Sequence, residues 1–256
     1  MRGLRTALTR LVLGSLLLSS QCYSQTPEEA RLASAGAVLN AFTSDPATAI
    51  PPQILQHAQG IAIIPRVIRV GFIFGGHHGK GILVVRTEDG EWSNPGFISL
   101  TGGSFGAQIG AESADLILVF GNKVSILNIR EGKFTVGGDA SATAGPVGRN
   151  STVTRDMTFA TELYTYVRSR GLFAGATIEG AKLGVDDDAN QNFYPPDGEA
   201  QPLAVTSFAT SASARRFLTT LDDAEAVSRG SAEPAEKEED DAAEEAIIYP
   251  LGAGAN

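Results

Sequence analysis

The chain has 256 residues, 43% of them hydrophobic, so it is long enough for one or two domains with a substantial core. Its formal net charge is −9, and residues 221–245 alone account for that excess, with eleven acids against Arg229 and Lys237. The acidity therefore belongs to the tail, which argues against nucleic-acid binding there, and the single cysteine, Cys22, excludes an intramolecular disulfide.

Residues 1–24 carry Arg2, Arg5 and Arg10, no acids, and an apolar run from Leu11 to Leu18. A basic segment followed by a short apolar one is the pattern of a secretory signal peptide, and the run is too short to span a bilayer. Cys22 and Ser24 place small residues at −3 and −1 for a cut before Gln25. A lipid anchor at Cys22 is the alternative, although the bulky Gln21 precedes it. Either way the expected product is exported, to the periplasm or cell envelope.

Thr26, Pro27 and Glu29 form a capping-box start for a helix over residues 26–43, with Leu32, Ala35, Val38, Leu39 and Phe42 at helical spacing. Ser44-Asp-Pro46 ends it. A second short helix runs from Pro51 or Pro52 to Gln59, stopped by Gly60.

From Gly60 the period changes. Ile61–Ile64 and Val67–Phe74 read as strands, Gly75–Gly79 with His77 and His78 as a turn, and Gly81–Thr87 as the return strand. Asp89-Gly90 marks the next turn. Leu116–Phe120, Gly121-Asn122 and Val124–Arg130 read as a second hairpin, followed by a strand at Phe134–Val136. Met157–Val167 reads as a helix or a long strand, strand-like near Tyr164 and Tyr166. Gly175–Leu183 reads as a further strand. Three prolines in 195–202 begin a linker, a helix is expected around Arg215–Ala226, and residues 230–256 form an acidic tail whose composition favours disorder.

Several motifs tempt a catalytic reading. Gly102-Gly103-Ser104-Phe105-Gly106 matches the G-x-S-x-G nucleophile elbow, but His57, His77 and His78 all precede Ser104. A serine hydrolase using Ser104 is thus a minor alternative. His77 and His78, adjacent in extended chain, point to opposite faces and do not converge on one metal ion, so a solvated turn is expected. Asp186, Asp188, Asn190, Asn192 and Asp197 faintly resemble a calcium loop, with Gln191 where such a loop needs glycine; a polar turn is the better reading. No phosphate-binding loop is present. No metal and no cofactor is expected. The cations Arg66, Arg69, Lys80, Arg149, Arg155, Arg168 and Arg170 lie near apolar or glycine-rich turns, a setting that suits anionic lipid head groups or, more plainly, solvated surface charge.

Nine segments in order carry a resemblance: Ile50-Pro51, Gly60-Ile-Ala-Ile-Ile-Pro65, Gly71-Phe-Ile-Phe-Gly-Gly76, Gly79-Lys-Gly81 and Trp92-Ser-Asn-Pro-Gly-Phe97, then Gly103-Ser-Phe-Gly-Ala-Gln-Ile-Gly110, Asp115-Leu-Ile-Leu-Val119, Gly145-Pro-Val-Gly148 and Tyr166-Val-Arg-Ser-Arg-Gly-Leu-Phe-Ala-Gly175. From about Ala37 to Tyr194 the chain resembles the SYLF domain family, the actin-binding domain of eukaryotic actin-patch regulators. Phe193-Tyr194-Pro195 departs from the family's usual Tyr-Gly. The resemblance implies a non-enzymatic lipid-binding module over residues 25–200, of phosphoinositide or other anionic-phospholipid type. The expected lipid contacts are Arg66, Arg69, Lys80, Arg168 and Arg170. A protein partner is the alternative, in a structural or interaction module; actin is not expected in an exported compartment.

The expected fold is mainly β with flanking helices, an α+β class: one antiparallel, glycine-rich, barrel-like domain, with the 26–43 and 51–59 helices outside it. A C-terminal extension at 201–229 and the tail follow.

Overall fold

A computed structural model describes residues 25–71, 74–105, 110–140, 142–147, 163–170, 180–194, 202–203 and 211–230. The N-terminal segment 1–24, Arg149, Arg155, the 157–162 and 175–179 segments and the tail beyond Gly230 lie outside these residues, as do the side chains of Ser104 and Arg170.

The chain runs α1 (Pro27–Thr43), α2 (Pro52–His57), β1 (Gly60–Gly71), β2 (Phe74–Val85), β3 (Gly96–Phe105), β4 (Gly110–Phe120), α3 (Lys123–Arg130), β5 (Phe134–Thr135), β6 (Ala142–Ala144), β7 (Leu163–Arg170), β8 (Lys182–Val185), α4 (Asp187–Phe193) and α5 (Ala212–Gly230). The strands form one eight-stranded sheet in the order β5-β8-β3-β2-β1-β4-β7-β6, curled into a half-barrel. Every pairing is antiparallel except β6 with β7. The mainly β architecture with flanking helices is the one the sequence predicts.

Alternation along the strands gives the sheet two apolar faces. One carries Ile61, Ile63, Ile82, Val84, Phe97, Ile117 and Val119 and packs against the helices α1, α2 and α5. The other carries Ala62, Ile64, Leu83, Leu116, Leu118 and Phe120 and is closed by α3 through Ile126 and Ile129. A strand buried on both faces loses its polar alternation, which is why the β1 and β4 sequences read as near-continuous apolar runs.

The capping box at Thr26 and Glu29 forms as predicted, with reciprocal hydrogen bonds of 3.1 and 3.2 Å. Leu32, Ala35, Val38, Leu39 and Phe42 are buried on one stripe of α1. At about 1.5–3 kcal/mol for each large side chain buried, that stripe contributes more than the helix's own propensity. Phe217, Leu221 and Ala224 of α5 join the same core, so the C-terminal helix is packed into this fold.

Four expectations are corrected. Residues 124–130 form α3, not the return strand of a hairpin: Asn122 caps it by accepting from the Ser125 N–H at 3.0 Å, and its β-branched Ile126 and Ile129 mimic strand text while burying at helical spacing. Gly75–Gly79 is not a turn, because β2 runs unbroken from Phe74 to Val85. His77 is accordingly buried, only 5% exposed, instead of solvated. The calcium-like segment is helix α4, with the Asp186 side chain as its N-cap. The strand expected over 175–183 is, in its described part, β8 at Lys182–Val185, with Gly180 turning into it at φ +80°.

Candidate functional site

The two β1 strands read from the sequence are one strand broken by a bulge. The register of β1 shifts by one residue between Ile64 and Val67 against β4 and between Ile63 and Ile68 against β2, so that Pro65 and Arg66 together stand opposite the single Asp115 of β4. Proline lacks the N–H that a ladder needs, so it fits at a bulge. Arg66 adopts φ +50°, a conformation disfavoured for a side chain with a Cβ. The buried Asp115 carboxylate holds it there, accepting the Arg66 N–H at 3.0 Å. On the opposite side, a Cβ on Gly81 would lie 2.3 Å from the Ile63 carbonyl oxygen, and one on Gly79 would lie 2.7 Å from the Ile64 side chain. Gly79 and Gly81 therefore let β2 pass closely behind the bulge.

The bulge divides the helix-bearing face into two rows of side chains. In the first row Lys80 and Arg168 stand on either side of the bulge, Arg168 paired in register with Asp115. Both are turned toward the helices. Lys80 Nζ lies 3.1 Å from Asp186 Oδ2, which Arg31 of α1 also meets at 3.0 Å. Arg168 Nη2 donates to the Ala41 carbonyl at 2.6 Å, and its guanidinium lies 4.8 Å from the centre of the Phe42 ring. A cation on the last-turn carbonyls of α1 also complements the negative end of its dipole. Burial tends to raise the Asp186 carboxyl, but hydrogen bonds from Lys80, Arg31 and the Ala189 N–H outweigh it and hold the group below its ordinary value.

The second row lies beyond the helices, toward the glycine-rich end of the sheet. Thr101, His78, Ile68, Ser113 and Arg170 are register partners across five strands. Thr101 and His78 are exposed, and Ile68 is 56% exposed, one of few large apolar side chains so placed among the described residues. Exposed Arg66 stands two positions before Ile68.

Arg69 faces the opposite way, in a row with Glu112, His77 and Gly102. A Cβ on Gly102 would fall 2.1 Å from His77 Nε2, so the imidazole occupies the space a side chain would take. Neither ring nitrogen of His77 has a hydrogen-bond partner. Burial, with the charge of Arg69 added, lowers its pKa and keeps the ring neutral.

The five sequence-predicted cations thus do not form one cluster. Lys80 and Arg168 anchor helices, Arg66 belongs to the exposed end, Arg170 is placed only by its backbone register with Ser113, and Arg69 lies on the other face. Ile68 was missed because it sits inside an apolar strand run; only the bulge, signalled by Pro65 between two such runs, exposes it. Among the described residues no group of three or more His, Cys, Asp or Glu side chains is placed to hold a metal ion, and no helix is long and apolar enough to cross a membrane.

Comparison with known proteins gives a consistent result. Residues 101–224 match the family model described as Ysc84, Las17-binding protein actin regulator. The chain is 35% identical over 195 residues to an SH3 domain-containing protein, PJ696.02, of Schizosaccharomyces pombe, covering 73% of this chain and 45% of that protein. It is 36% identical over 148 residues to protein YSC84 of Saccharomyces cerevisiae, covering 57% and 31%. It is 32% identical over 194 residues to the human SH3 domain-containing YSC84-like protein 1, covering 73% and 56%. The chain thus spans less than half the length of the two yeast relatives and little more than half of the human one.

Proposed function

This chain carries a domain of the Ysc84 (SYLF) family of actin regulators, and from that premise we propose that it works by binding a protein partner and not by catalysis. The family match is the observation that carries the reading. The family model is described as Las17-binding protein actin regulator and a relative from Saccharomyces cerevisiae is named LAS seventeen-binding protein 3, which supports a partner protein that takes the place Las17 has for them. The exposed row at the glycine-rich end is the surface assigned to it. Arg66 and Ile68 combine a cation with an apolar contact there, and the bulge and Asp115 fix them on rigid strands. The test is binding of the full chain to immobilised Las17, with Ile68→Asp as control. Saturable binding that weakens at least tenfold in the variant supports the reading. Equal binding by both proteins removes the assigned surface.

A second reading has its own observation. A cation beside an exposed apolar side chain also suits an anionic lipid surface, which charge attracts and Ile68 would enter. Charge reversal at Arg66 separates the two: pelleting with phosphatidylserine vesicles that is lost in Arg66→Glu and in high salt supports lipid binding. Residues 1–24 support export, which the N-terminal mass of the purified protein reads directly.

A further inference from the structure

At the end of the sheet opposite the glycine-rich tips, a cleft of about 460 Å³ opens between the β2–β3 connection and α3. Its floor is apolar, from Val85, Ile126, Leu127 and Leu203. Leu127 is 54% exposed and Val124, next to the cleft-lining Lys123 on the same helix, 65%. Lys123 and Arg130 line the helix wall, and Glu88 and Asp89 line the opposite wall.

The position of α5 says what can reach this cleft. Arg86, which lines it, pairs with Glu225 of α5, and the Trp92 Nε1–H donates to the same carboxylate at 3.1 Å. Gly230, the last residue of α5, is five residues further, about 8 Å along a helix at 1.5 Å per residue. The chain continues for 26 residues beyond it. They contain an acidic run, Glu236 to Glu245, and then the apolar segment Ile247-Ile248-Tyr249-Pro250-Leu251. Sixteen residues lie between Gly230 and Ile247, and a flexible linker of that length would reach roughly 20–24 Å, further where like charges extend it. That span is long enough for the apolar segment to reach the cleft from the end of α5.

We propose that the chain's own tail, through Ile247–Leu251, docks on the apolar floor of this cleft, with the preceding acidic run along Lys123 and Arg130. The acids Glu88 and Asp89 on the facing wall repel that run and bias it to the helix side. Docking covers Val124 and Leu127 and makes α3 a surface that a partner reaches only by displacing the tail. This does not depend on which partner the glycine-rich end binds.

The test uses the full chain with the photo-crosslinking residue benzoylphenylalanine in place of Tyr249. Irradiation is expected to give an intrachain crosslink at monomer mass, mapping to residues 123–130 or 85–89, with a yield at least fivefold lower when Leu127→Asp is added. Leu127 is exposed, so that variant folds. Amide exchange supplies the second readout: residues 123–130 are expected to exchange more slowly in the wild-type chain than in the Ile247→Asp, Ile248→Asp double variant. Crosslinks at dimer mass, crosslinks elsewhere on the chain, or equal exchange in the two proteins would overturn the proposal.

Discussion

His77 shows how a residue pair can be coupled without a hydrogen bond. Its neutral ring is buried and fills the space above Gly102, a close approach that only the glycine permits. Gly102→Ala forces the ring or the backbone aside and is expected to lower stability by about 1–3 kcal/mol in denaturant titration, the usual cost of overpacking. The pH dependence follows from the lowered pKa. Near and below 6.5 the unfolded imidazole takes a proton that the buried ring resists. The contribution of His77 is therefore complete above that pH and is lost as pH falls toward the folded value. His77→Gln should flatten this acid limb, and midpoints measured across the range check it; an unchanged limb would show that His77 is not buried neutral. None of this was legible in the sequence, where two adjacent histidines among glycines look like a turn. The alternation of faces between His77 and His78 was legible, because it needs only an extended backbone.

The elements differ in how clearly their sequences declare them. α1 was readable in full, because its cap, its apolar stripe and its stop all agree. The α3 helix was not, because Val124, Ile126 and Ile129 have strand propensity and packing against the sheet decided the outcome. The bulge at Pro65 and Arg66 was half legible, as a break between two apolar runs. Its stabiliser, Asp115, lies 49 residues away, and no local pattern connects the two. Removing that acceptor in Asp115→Ala leaves a strained Arg66 and an unpaired N–H, at an expected cost of about 1–3 kcal/mol. Exchange at the Arg66 amide should speed up more than at the distant amides of β7. For α4, Asp186 serves at once as N-cap and as the acceptor for Arg31 and Lys80, so Asp186→Ala is expected to cost more than the ~1 kcal/mol of a cap alone. Calorimetry of the variant checks this, and a loss no larger than that of a plain cap would mean the two ion pairs contribute nothing.

At the scale of the molecule, one sheet is held between two helical layers and carries its exposed end beyond them. The candidate cations were legible as residue types but not as a site, since the sequence does not say that Lys80 and Arg168 turn to the helices while Arg66 stays outside. What fastens the C-terminal helix was equally hidden: Glu225 joins Arg86, whose guanidinium lies 3.9 Å over the Trp92 ring, across more than 130 residues of chain. Glu225→Ala removes the one carboxylate that Arg86 and Trp92 share, although Arg86 still donates to the Gly90 carbonyl, and is expected to cost about 1.5–3 kcal/mol, with Trp92 fluorescence shifting to the red as α5 loosens. An unshifted spectrum with unchanged stability would show that α5 is held by its apolar face alone. The central claim is that this rigid scaffold presents Arg66 and Ile68 to a protein partner. The most direct measurement is an equilibrium binding titration of the full chain against Las17, alongside phosphatidylserine vesicles, with wild-type and Ile68→Asp proteins of equal stability. Saturable binding to Las17 that Ile68→Asp abolishes is the expected result. Binding confined to the anionic vesicles would contradict the claim and make the lipid reading the correct one.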